Sequence, residues 1–394
     1  MRQLATITTA VLLIATTAYA HIQERFASSD NCKACHHTIV NEWESSLHAK
    51  SHFSKNELIE KTIEYMSVHT SLLKEQIVLN CAECHNPRVI QQSVSLEEMY
   101  SQAYGQGSGE TQAMLDSKFA KDGVSCITCH NVDQIHQGED QFARGNNLVS
   151  WTDSGVMTGP FDDVDSPYHQ SEYRDFFTKN SNQLCTVCHQ DGESYYGHKT
   201  YATGIEYDRS GSDKSCVECH MGEVHERFIV DNELAGTKRP SRSHLFAGVR
   251  NSDIVATSIT INPTRSDGQL QLELVNETAH RVPTGYGDRV MSVITSFLDS
   301  SGDVIHTEVH KLQAIYGDRN GNETISQLAQ QTLSDTRLAV NESRMLQYNI
   351  PDDATEAKVN LTYRLISKKW AEELGLRSQE YLKTYEIKQR NLKL

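Results

Sequence analysis

The alternation of apolar and polar positions changes character near residue 250. Before it, apolar residues recur at helical spacing only in short stretches. Residues 41–53 carry Trp43, Leu47 and Phe53, and residues 57–79 set Ile59, Ile63, Met66, Leu73 and Ile77 on a three-to-four-residue period, so both predict helices. Ser95 with Glu98 reads as a capping box for a helix to Tyr104, with a further helix over 111–121 after the glycine-rich break at 105–109. Residues 138–166 read as a loop punctuated by Gly, Asn, Asp and Pro, and 168–177 as a short helix after Pro167. Beyond 252 the period becomes two. Residues 254–261, 270–275, 290–297, 304–309, 344–350 and 357–365 read as strands between turn signals, which predicts an antiparallel sandwich of roughly 110 residues. The stretch 367–394 is rich in Lys and Arg and is expected to form a solvated basic helix or tail.

The expected organisation is therefore an export signal at 1–20, a cysteine-bearing domain at 21–249, a β-sandwich at 250–366 and a basic tail at 367–394. The signal rests on Arg2, the apolar Val11-Leu12-Leu13-Ile14 and the small-residue site Ala18-Tyr19-Ala20. That apolar stretch is too short to span a bilayer, and no later segment is apolar enough. A periplasmic or extracellular location is expected. The net charge of −15 argues against a nucleic-acid partner.

All ten cysteines fall into five copies of Cys-x-x-Cys-His: Cys32/Cys35/His36, Cys81/Cys84/His85, Cys126/Cys129/His130, Cys185/Cys188/His189 and Cys216/Cys219/His220. This spacing attaches c-type haem. The two thiols add to the vinyl groups of one porphyrin, and the adjacent histidine reaches the iron as proximal ligand. Disulfides would not explain a histidine after every second cysteine, and in zinc ribbons that histidine would be surplus. Five haem c groups are implied. Only about 46 residues serve each motif, too few for a separate apolar core around each haem. The expected fold is a mainly helical and irregular domain with a haem-built core, followed by an all-β antiparallel sandwich.

Several flanking segments resemble those of the multihaem c-type cytochromes around hydroxylamine oxidoreductase and the tetrahaem carrier of nitrifying bacteria, in particular members with a C-terminal β-sandwich. They are Trp43-Glu-Ser-Ser-Leu-His48-Ala49, Gly159-Pro160 to Ser166-Pro167-Tyr168-His169, Ser243-His244-Leu-Phe-Ala-Gly248 and Ala279-His280-Arg-Val-Pro283-Thr284-Gly285. The resemblance implies that His48, His169, His244 and His280 are distal haem ligands. His280 would reach from the β domain onto a haem. The adjacent pair His36-His37 resembles the arrangement in tetrahaem cytochromes of sulfate reducers, where the second histidine serves a neighbouring haem. His136, six residues past His130, is a further candidate, although the Gly-Pro-Gly segment that accompanies it in the family is missing. His52, one turn from His48, and His69, beside the apolar stripe of the long helix, complete the candidates.

A closed iron shuttles electrons and an open one binds substrate. Thirteen histidines beyond the five proximal ones are enough to close every iron. The expected function is electron transfer along five mostly bis-histidine haems between periplasmic or extracellular redox proteins. Self-association into a haem-linked oligomer or filament is a further expectation. The alternative is an oxidoreductase acting on a small nitrogen or sulfur oxyanion at one five-coordinate haem, with Arg144, Arg174 or Tyr173 as flanking donors. The family's reductases often carry a motif lysine. All five motifs here end in histidine, which favours the carrier.

Overall fold

The structure is a computed structural model that describes residues 26, 28–89, 110–136, 138, 143–152, 155–230 and 237–394. The export signal and the helix expected over 95–104 lie outside the described residues. Helices and short turns occupy the first part, and antiparallel strands the second. Among the described residues, no helix is long and apolar enough to cross a membrane.

Helix α1 spans His37–Ser45, α2 Glu57–His69 and α3 Lys74–His85. The single helix expected over 57–79 is thus two, broken at Thr70 and Ser71. Asn56 caps α2 by accepting a bond from the Ile59 amide at 3.3 Å, and Glu57 and Glu60 complement its N-terminal dipole. Gln76 secures the start of α3 through the Leu73 amide at 2.9 Å. Three later motifs form short helices: α4 at Cys126–His130, α5 at Asn182–His189 and α6 at Cys216–His220. Ser125 and Ser215 stand at the N-caps of α4 and α6, and the Glu218 carboxylate accepts the Ser215 amide at 2.7 Å. One helical turn puts the two cysteines and the histidine on the same side of the backbone.

The helix expected over 168–177 is instead a strand, Gln170–Tyr173, paired in parallel with Val156–Gly159, and then a single turn at Asp175–Phe177. Pro167 commits the chain to extended backbone before the supposed helix could start.

The β domain begins with helix α7, Ser252–Thr257, where a strand was expected. The Asn251 side chain accepts from the Asp253 and Ile254 amides at 3.0 Å, a cap that overrides the apolar alternation. Strands β1 (Ile259–Ser266), β2 (Gln269–Asn276), β3 (Val290–Leu298), β4 (Val304–Leu312), β5 (Ala314–Gly317), β6 (Gln331–Asp335), β7 (Ser343–Asn349), β8 (Glu356–Arg364) and β9 (Tyr385–Lys393) follow. They form antiparallel sheets ordered β7-β2-β1 and β4-β3-β8-β9, with β5 and β6 in a third. Strict alternation of burial along β2 and β3 sends Leu270, Leu272, Leu274, Val293 and Phe297 into one core with Val359 and Leu361 of β8. Ile63 and Met66 of α2 and Ile77 and Val78 of α3 join the same core, which fastens the β domain to the second motif.

The basic C-terminal stretch is a second correction. It forms the short helices Lys368–Glu373 and Gln379–Leu382 and then β9, paired with β8 along its length. The alternation of Tyr385, Glu386, Ile387 and Lys388 is a strand signal that the lysines and arginines obscured.

Candidate haem centres

All ten cysteines are free. Among the described residues, no cluster of three or more His, Cys, Asp or Glu side chains could hold a bare metal ion. The motifs instead line one continuous cavity of about 3080 Å³, some three times the upper end of the range for a drug-sized ligand, about 1,000 Å³. Its walls include a cysteine and the histidine of every motif.

Across this cavity, four motif histidines each face a second histidine. Ring centres are 6.4 Å apart for His36 and His169, and 6.3 Å for His48 and His189, for His130 and His244, and for His220 and His280. Two imidazoles bound at about 2 Å on opposite sides of one metal leave their ring centres about 6 Å apart. The donor set and its spacing therefore fit one iron between the rings of each pair.

The remaining nitrogens of these rings support that fit. A ligating histidine uses one nitrogen for the metal and donates from the other, usually to a carbonyl, which fixes the tautomer. His36 Nδ1 lies 2.6 Å from the Ile229 carbonyl, His130 Nδ1 2.8 Å from that of Thr158, and His220 Nδ1 2.6 Å from that of Ala247. Each carbonyl comes from a segment distant in sequence, so the chain folds back to orient each ring. Burial lowers His48 to about 3, and His189 and His244 to about 4. These imidazoles are therefore neutral at neutral pH, the form that ligates.

Local structure places the facing histidines. Trp43 of α1 donates from Nε1 to the Val124 carbonyl at 2.8 Å and fixes the segment carrying His48. Glu42, also on α1, accepts the His244 amide at 2.8 Å and pairs with Arg227 at 2.6 Å. In the β domain, His280 Nδ1 sits 3.1 Å from the Arg281 carbonyl, and the Arg281 amide donates to Glu206 of the first region at 2.9 Å. Thr203 and Thr284 meet at 3.0 Å beside it.

The motifs are also close to one another. Cys32 lies beside Cys126, Cys84 beside Cys188, and Cys185 beside Cys216. The first, third and fourth motifs thus form a line, with Cys129 near Cys185 and Cys188, and the second and fifth both meet the fourth.

His85 is the exception. It lines the cavity, where its ring is exposed, and no histidine among the described residues is seen to face it. His37, expected as a distal ligand, is exposed at the start of α1 beside Asn41, 3.2 Å away. His69 stacks on Tyr65 with ring centres 3.9 Å apart and bonds the Tyr65 carbonyl at the helix surface. His52 is buried, caps the next turn through the Ser54 amide at 3.2 Å and packs on Phe53. His136 continues a strand ladder through its amide to the Leu148 carbonyl at 2.7 Å. His37, His52 and His69 join no histidine pair among the described residues.

The candidate substrate donors are also engaged elsewhere. Arg144 pairs with Asp191 and Glu193, Arg174 with Asp133 and Glu172, and the Tyr173 hydroxyl meets Thr178 at 2.8 Å. The second motif has other neighbours that sequence reasoning missed. Cys81 packs against the core shared by α2 and the β domain, which holds Tyr363, with Tyr286 packed against the same core. Their positions carry no motif spacing, so pattern alone could not have found them.

Residues 31–131 match the family model of cytochrome c554 and c-prime. The chain is similar to multihaem c-type cytochromes. The solved structure of a penta-heme cytochrome c552 from Thermochromatium tepidum superposes with a TM-score of 0.72 at 20% sequence identity, covering 93% of this chain and 98% of that one. That likeness shows the fold, and its coverage takes in the β domain as well as the motif-bearing region. No curated relative matches the chain.

Proposed function

We propose that the protein is a pentahaem electron-transfer cytochrome with four histidine-closed irons and a fifth, on His85, that histidine does not close. The four ring pairs at 6.3–6.4 Å carry this reading. Cys32/Cys35, Cys81/Cys84, Cys126/Cys129, Cys185/Cys188 and Cys216/Cys219 would attach the haems. His36 with His169, His130 with His244, His189 with His48 and His220 with His280 would hold four irons. Bound haem supplies one-electron redox chemistry. The chain's own part is to fix the ligand rings, exclude water and hold the motifs close to one another.

The cysteine contacts support a line through the first, third and fourth groups, branching at the fourth to the second and the fifth. Electrons would enter and leave through redox proteins docking at its ends. His280 would make the β domain part of the array, because it would hold the fifth motif's iron from the other domain. Intact-mass measurement of the purified holoprotein, with a spectroelectrochemical titration, tests the reading. Five thioether-linked haems that all cycle reversibly are expected. Fewer haems, or groups that do not reduce, would reject it.

A second reading rests on His85 alone: an iron without a second histidine can bind an external ligand, so catalysis at this haem stands beside electron transfer.

A further inference from the structure

Beside the fourth and fifth motifs, the cavity wall carries a cation that the chain itself leaves uncompensated. Arg289 lies in the loop after His280 and lines the cavity. It stands beside His189 of one ring pair and His280 of another. Its Nη1 donates to the Thr284 carbonyl at 2.5 Å, and its Nε is buried without a hydrogen-bond partner. Taking a guanidinium out of water is costly, and buried charges are almost always paired.

The carboxylates of the surrounding segments are committed elsewhere. Asp288, its neighbour in sequence, accepts the Ser326 amide and hydroxyl at 3.1 and 2.7 Å. Glu206 accepts the Arg281 amide at 2.9 Å, and Asp335 is shared by Arg281 and Arg337. Among the described residues, Arg289 has no carboxylate at ion-pair distance. The loop is also shaped around the guanidinium. Gly285 has φ +79°, and a Cβ there would stand 3.0 Å from Arg289 Nη1. A guanidinium presents a planar, two-pronged set of N–H donors that matches a carboxylate. The carboxylates that bound haem would bring into this cavity are its propionates.

We infer that Arg289 holds a haem propionate beside the fourth and fifth motifs, and that through it the β domain raises the redox potential of the groups it touches. The inference rests on the pentahaem reading. A cation beside a haem favours the reduced iron, which carries one positive charge fewer. Pairing also neutralises a propionate charge that favours the oxidised iron. Arg289 is thus a positioning residue, and the β domain sets a potential as well as supplying His280.

Arg289→Gln removes the charge, and Arg289→Lys keeps it without the two-pronged donor set. Spectroelectrochemical titration of the native holoprotein and both variants reads the potentials, and low-temperature EPR checks that the iron ligands are unchanged. Arg289→Gln is expected to lower the potential of one or two groups and leave the others in place, with Arg289→Lys near the native values. Native potentials throughout in Arg289→Gln overturn the inference. So does an equal fall in every group, or a fall in Arg289→Lys as large as in Arg289→Gln. Should Arg289→Gln not retain its haems, the propionate bending band in the resonance Raman spectra of the native protein and Arg289→Lys decides. A shifted band supports the contact, and an unmoved one overturns it. Fewer than five reversibly cycling haems in the native protein rejects the pentahaem reading and the inference with it.

Discussion

The two regions of this molecule solve the problem of burying apolar surface in different ways. In the β domain, alternating side chains from β2, β3 and β8 meet in one continuous core, in which Leu272, Phe297 and Leu361 are fully buried. In the first region, protein-only clusters outside that shared core are small. Val40, Trp43 and Ala49 form one, and Val89, Phe119, Ala120 and Ile127 another. Between them lies the large cavity walled by the five motifs. One region is a protein that holds itself together; the other is a wall around a large cavity. On the proposed reading, covalent haem with its ligands would contribute folding free energy there in the way a structural metal does.

The largest expected effect follows directly from this contrast. Expressed without haem attachment, the chain should lose protection of the amides in α4, α5 and α6 while those of β2, β3 and β8 stay protected. Hydrogen exchange with mass spectrometry reads both at once, and equal protection in the two regions would break the comparison. Within the β domain, Phe297→Ala should cost about 3–5 kcal/mol, measured by denaturant unfolding, without altering the haem spectrum.

A third test uses Asp288, buried beside Tyr286. Burial raises its pKa from 3.8 to about 6. A folded-state value above the unfolded one means that the native protein holds the proton more tightly. The stabilisation is complete below about pH 4 and is lost as pH rises through 6. The loss is on the order of 3 kcal/mol, and Asp288→Asn should flatten that part of the pH–stability curve. The smallest effect is expected from Glu42→Gln, which weakens the bonds to Arg227 and the His244 amide. A stability loss of about 1–2 kcal/mol should accompany a change in the low-spin signal of the His130–His244 pair alone.

The same contrast explains what could be read from the chain before folding. Strands β2, β3 and β8 were legible because a half-buried strand writes its burial into every second residue. The motifs were legible because thioether chemistry demands their spacing. Pairing of histidines was not. His130 meets His244 and His220 meets His280 through loops held by Glu42, Glu206 and distant carbonyls, and no local pattern encodes those contacts. His37 misled because adjacency to His36 says nothing about which way α1 turns it. Asn251 and the alternation at 385–388 were signals present in the chain, outweighed in the reading by apolar runs and by charge.

The central claim is that four of five irons are closed by histidine pairs and the one on His85 is not. Low-temperature EPR with magnetic circular dichroism on the oxidised holoprotein counts both kinds. The account predicts four low-spin bis-histidine haems to one of another kind, changing to three and two in His280→Ala. Five bis-histidine haems in the native protein, or a His280→Ala count identical to it, would contradict the account.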